Sequence, residues 1–119
     1  MLKVYIAGCY SSDTTLGTLD NIRKGMRAGT EVLLSGFAPF VPWFDFHFQL
    51  MLQDDEELEV ENYYNYSMEW LKVSNAILVL SGYTSSVGTL TEIAMAEMLK
   101  IPVFYSLEAL KEWKWSCLK

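Results

Sequence analysis

With 119 residues, 51% of them hydrophobic and 20% charged, the chain is long enough for one domain with a packed core and too apolar to be disordered. A net charge of −6 excludes a broad basic face for a nucleic-acid backbone, though not a single nucleotide held by a few local donors. No apolar run reaches the length of a membrane span, Leu2–Ala7 is too short for a secretory leader, and Cys9 and Cys117 have no metal spacing; the expectation is a soluble cytoplasmic protein with free thiols.

Leu2-Lys3-Val4-Tyr5-Ile6-Ala7-Gly8 reads as a first strand closed by glycine. Ser11 to Gly17 is polar and rich in turn formers, so a loop is expected. Leu19, Ile22, Met26 and Leu33 then recur at helical spacing, with Arg23, Lys24 and Arg27 on the other side and Gly36 as a C-cap. Phe37 to Pro42 reads as a second strand, and its two prolines make it short or place it at an edge. Trp43 to Leu52 is aromatic, with Asp45 and His47 embedded in it. Asp54 to Glu61 carries six carboxylates and reads as a solvated loop or helix start. Tyr64, Met68 and Leu71 share one helical face over Glu61 to Ser74. A third strand follows at Ala76–Ser81, then a glycine-led helix to Leu99, a fourth strand at Ile101–Tyr105, and a last helix, Leu107–Trp113, capped by Ser106. Strands and helices alternating at this spacing predict one layered α/β domain, with a mostly parallel sheet covered on both faces.

Two turns stand out. Val87-Gly88-Thr89-Leu90-Thr91-Glu92 follows the third strand and puts a carboxylate near the start of a helix, where open α/β sheets bind ligands and helix N-termini attract anions. If the first and third strands are neighbours, the Gly8-Cys9-Tyr10 turn shares that edge. Gly8 and Gly88 would let backbone approach a ligand. Ser85, Ser86 and Thr89 offer hydroxyls for a phosphate or a sugar, and Glu92 a nucleophile or base. The same spacing also fits a capping box, Thr89-x-x-Glu92, in which the glutamate merely bonds back to the helix start. Gly88 also reads as a loop hinge, and Cys9 as a small buried residue.

Tyr5-Ile6-Ala7-Gly8, the Trp70-Leu71 helix leading to Asn75-Ala76-Ile77-Leu78-Val79-Leu80, and Gly88-Thr89-x-x-Glu92-Ile93-Ala94-x-Ala96 followed by Ile101-Pro102-Val103 resemble the nucleoside 2-deoxyribosyltransferase superfamily. That group also includes deoxynucleoside 5′-monophosphate N-glycosidases and many small phage and bacterial proteins. The resemblance spans about residues 3 to 105. It implies a single-domain, three-layer flavodoxin- or Rossmann-like fold with four or five strands, and cleavage of the bond between base and deoxyribose. Glu92 would attack the anomeric carbon, Tyr5 would orient it, and water or a second base would accept the sugar. Neither metal nor redox cofactor is implied; the partner would be a nucleoside or nucleotide, and a homodimer or larger homo-oligomer is expected. Two departures matter. Ser67 stands where the family commonly has an aspartate that protonates the leaving base. Ser86 stands where nucleoside transferases have an aspartate and nucleotide glycosidases a serine, which favours a nucleotide because a hydroxyl donates to phosphate and a carboxylate repels it.

His47 and Asp45 could form a proton shuttle or contact a base, although a lone histidine in an aromatic segment is more often packed. Trp43, Phe44, Phe46, Phe48, Tyr63, Tyr64 and Tyr66 could stack a base or simply fill core. Trp113 and Trp115 suggest an apolar patch. The rivals to an enzyme are a nucleotide-binding module that has lost its acid, which Ser67 favours, and a purely structural protein, which the acidic stretch and terminal tryptophans favour.

Overall fold

The computed structural model describes residues 1–117. Strands β1 (Lys3–Ala7), β2 (Ala38–Phe40), β3 (Ala76–Val79) and β4 (Val103–Phe104) form one four-stranded sheet in the order β2-β1-β3-β4. Every pairing is parallel, with Tyr5 opposite both Phe40 and Ile77. The helices are α1 (Thr15–Leu34), α2 (Phe46–Leu50), α3 (Val60–Lys72), α4 (Val87–Met98) and α5 (Leu107–Cys117).

The pleat decides which side chain meets which helix, because successive residues of a strand face opposite ways. Val4, Ile6, Ala76 and Leu78 pack with Ile22 and Val32 of α1 and Leu110 of α5. Tyr5, Ala7, Ile77 and Val79 turn to the other face, against Met68 and Leu71 of α3 and Ile93 and Ala96 of α4. Burial on both faces is why β1 and β3 read as continuous apolar runs rather than alternating ones. Each large side chain so enclosed contributes about 1.5–3 kcal/mol. The result is a three-layer Rossmann-like fold with the central strands β1 and β3 side by side.

Of three local differences from the sequence expectations, two have clear causes. Helix α1 begins at Thr15, inside the expected loop, because the Thr14 hydroxyl accepts from the Gly17 amide at 3.0 Å and caps it there. Strand β2 keeps only Ala38–Phe40 of the Phe37–Pro42 run; it lies at the sheet edge, and Pro42 instead opens a 3-10 turn through Asp45. Helix α5 continues past the expected end at Trp113. The turn after β2 lies directly on α1. A Cβ at Gly25 would overlap the Trp43 indole, and one at Gly29 would overlap Val41, so these glycines create the seat for that turn. Gly36, with φ at +88°, follows Ser35 at the end of α1 and gives the chain its left-handed exit.

Candidate active site

A cavity of about 330 Å³ opens at the carboxyl end of β1 and β3, within the usual range for small-molecule sites. Four segments wall it. Tyr5, Gly8 and Tyr10 come from β1 and its exit loop. Val60, Tyr63, Tyr64 and Ser67 form one face of α3, at the i, i+3, i+4, i+7 spacing that puts side chains in a single stripe. Ser86, Gly88, Thr89 and Glu92 come from the cap and first turns of α4. The segment after β2 closes the fourth side with Pro42, Trp43, Asp45, Phe46 and Gln49.

Glu92 does not make the Thr89-x-x-Glu92 capping box. Ser86 is the N-cap: its Oγ accepts from the Thr89 amide at 3.2 Å and from the Thr89 hydroxyl at 2.8 Å. The helix therefore starts at Val87, and Glu92 falls in its second turn, not its first, with its carboxyl facing β1. There the Tyr5 phenol donates a short hydrogen bond to Glu92 Oε2. Tyr5 is itself fixed by a stacked column, with Phe40 at 5.4 Å and Trp70 at 5.7 Å beyond it.

Burial dominates the electrostatics. It pushes the Glu92 carboxyl up from 4.5 to about 7, against the opposing effect of the Tyr5 donor. The Tyr5 phenol is driven well above its ordinary range by burial first and by the Glu92 charge second, so it stays protonated as a donor. Asp45 is likewise raised by burial, with Tyr10 opposing through a 2.9 Å hydrogen bond to Oδ1. Tyr10 is raised in return, by its burial and by the Asp45 charge.

Of the site residues expected from sequence, Tyr5, Gly8, Tyr10, Asp45, Ser67, Ser86, Gly88, Thr89 and Glu92 all line this one cavity. Cys9 does not. Its thiol donates to the Gly82 carbonyl at 3.1 Å and its carbonyl accepts from Trp43 at 3.0 Å, so it ties the two exit loops to the turn after β2. The two glycines differ as well. A Cβ at Gly8 would meet Leu80 at 3.2 Å, a packing constraint, whereas one at Gly88 would meet nothing within 4 Å and points to open space. His47 is exposed beside the Phe44 ring and away from the cavity lining. Trp43 is core, Phe46 and the two tyrosines Tyr63 and Tyr64 reach the cavity, and Tyr66 packs on Phe40 and Phe48. Gln49, which accepts from the Tyr63 hydroxyl at 2.8 Å, and Val60 were not legible beforehand, since neither carries a motif.

The architecture is an α/β fold of the kind seen in a 2-deoxyribosyltransferase. The structure is similar to the 2-deoxyribosyltransferase of the psychrotolerant bacterium Bacillus psychrosaccharolyticus, with a TM-score of 0.62 at 17% identity over 85% of this chain and 69% of that one. It is also similar to a conserved protein from Enterococcus faecalis V583, with a TM-score of 0.54 at 21% identity, covering 87% of this chain and 61% of the other. Both likenesses are of fold. Residues 2–106 match the family described as a domain of unknown function, DUF7768, and the chain belongs to it. No curated protein matches the chain. No helix among the described residues is long and apolar enough to cross a membrane.

Proposed function

We propose that the protein cleaves or transfers the N-glycosidic bond of a (deoxy)nucleoside or its 5′-monophosphate, with Glu92 as nucleophile. The observation that carries this reading is a half-buried carboxyl at the carboxyl end of β1 and β3, held by one phenol and open to a cavity of nucleoside size. A carboxylate largely stripped of water is a stronger nucleophile than a solvated one, and with its titration near neutrality a useful fraction is ionised at pH 7. Attack on the anomeric carbon would form a glycosyl-enzyme ester, which water or a second base resolves. Tyr5 would hold one Glu92 oxygen so that the other faces the sugar. At the start of α4, backbone N–H groups with no intrahelical partner and the Ser86 hydroxyl would receive a 5′-hydroxyl or phosphate. Gly88 leaves room for that group to approach. The reaction needs neither metal nor redox cofactor.

Incubation with a panel of deoxyribo- and ribonucleosides and their monophosphates, with and without an acceptor base, tests this directly. Free base detected by chromatography and mass should appear with the wild type and fall by about 10³-fold or more in Glu92→Gln, which keeps shape and removes the nucleophile. Retained turnover in that variant would sink the nucleophile assignment. The rival reading, a nucleotide-binding module, is favoured by Ser67, because a serine hydroxyl is no acid. It predicts no release from any compound, but a thermal shift with nucleotides that survives Glu92→Gln.

A further inference from the structure

An N-glycosidic bond breaks with its electron pair leaving on a base nitrogen, and an ordinary nucleobase leaves slowly unless a proton reaches it. Ser67, buried on α3 beside the Tyr5 phenol, cannot supply one. The cavity holds a second carboxyl, however, on a different element. Asp45 closes the 3-10 turn after β2, is 8% exposed, and lines the same cavity as Glu92. Tyr10 occupies its Oδ1, and among the described residues its other oxygen has no protein hydrogen-bond partner. Nor is that oxygen a sealed-off orphan, since among the described residues no deeply buried side-chain oxygen lacks a partner. That oxygen therefore keeps accessible surface, on a residue that lines the cavity. Phe46, Tyr63 and Gln49 line the same cavity and offer a planar base two rings and an amide.

On the glycosidic reading above, we propose that Asp45 is the catalytic acid, a carboxyl carried on the segment after β2 in place of one at Ser67. Glu92 attacks the anomeric carbon, the bond to the base nitrogen breaks, its electron pair passes into the base, and the Asp45 proton moves to a ring nitrogen. In the second half, water attacks the same carbon, the Glu92 carboxylate leaves, and the water proton returns to Asp45. With transfer, the acceptor base gives up its proton to Asp45 instead. Tyr10 is then a positioning residue that fixes the carboxyl and leaves one oxygen for the substrate. The titratable side chains that sense Asp45 are Tyr5, Tyr10 and Tyr63, none of them a cation; burial therefore favours its protonated form, the form an acid needs.

The test is leaving-group dependence. An N7-methylated purine deoxyriboside carries a cationic base that departs without protonation, whereas the unmethylated purine deoxyriboside does not. Asp45→Asn should cut kcat with the unmethylated substrate by ~10²-fold or more and with the methylated one by less than ~10-fold. A variant whose fold was damaged would lose both alike, and equal losses overturn the acid role. The wild type supplies a second measure that needs no variant. Its kcat should fall at high pH with the unmethylated substrate and stay level with the methylated one; the same fall with both also overturns the role. Absence of base release by the wild type from both compounds, from their 5′-monophosphates and from every member of the panel above overturns the glycosidic reading itself, and this inference with it.

Discussion

Glu92 is a carboxyl that the fold makes costly to ionise, and the sign of that cost is fixed. The folded chain keeps the Glu92 proton up to about pH 7, whereas the unfolded chain loses it near 4.5, so the native state binds more protons between those values. Stability therefore falls as pH rises from about 4.5 to 7 and stays lowered above that. Glu92→Gln should raise stability by roughly 2 kcal/mol at pH 8.5 and change it little at pH 4. Thermal denaturation at the two pH values reads this, and an equal shift at both would overturn it. Tyr5→Phe acts on the same group in the opposite sense. Tyr5 donates to the carboxylate and holds its titration down, so its loss should move the rising limb of kcat/KM to higher pH. A limb moved to lower pH would contradict that geometry. Both residues were visible in the sequence, one on a strand and one on a glycine-led helix. Whether Glu92 served as cap or as site residue was not, because Thr89-x-x-Glu92 fits a capping box equally well; only the choice of Ser86 as the cap frees the carboxyl for Tyr5.

At the scale of elements, the strands and helices were legible because their signals are local: apolar runs, helical spacing, caps and prolines. What was not legible was how the segment after β2 is seated. Trp43, Asp45, Phe46 and Gln49 reach the cavity only because Gly25 and Gly29 remove side chains from the face of α1 beneath them. Read alone, two glycines within a helical pattern are weak helix formers with no evident purpose. Gly25→Ala should therefore destabilise the protein by about 2–3 kcal/mol, since the new methyl overlaps the Trp43 ring. At an open helical site the same change would stabilise by up to ~1 kcal/mol, so a urea unfolding midpoint that rises would refute the close approach. Displacing Trp43 also moves Asp45 two residues on, so weaker ligand binding should accompany the loss.

For the whole molecule, the aromatic character of the segment after β2 goes only partly into the core. Trp43 is enclosed, but Phe44, Phe46, Phe48, Leu50 and Met51 remain exposed in one stretch. Trp113 packs on Phe104 at 5.4 Å, while Trp115 stands 68% exposed. Apolar surface gathered in this way is the kind that association covers, and a homo-oligomer is the expected state. Sedimentation at micromolar concentration should give at least twice the 13.6 kDa chain mass, and a monomer would remove that expectation. The sequence by itself determined the α/β class, the order of the strands and main helices, and the parallel sheet, because each depends on periodicity or on residues close in the chain; that the two strand exits meet at the cavity followed only once β1 was set beside β3. Tertiary structure alone decided that Ser86 caps α4, that Cys9 turns towards Gly82 rather than into the cavity, and that Asp45 shares the cavity with Glu92. Those outcomes depend on which residues from distant segments meet and on how far burial strips them of water, and neither is written in the spacing of any single motif.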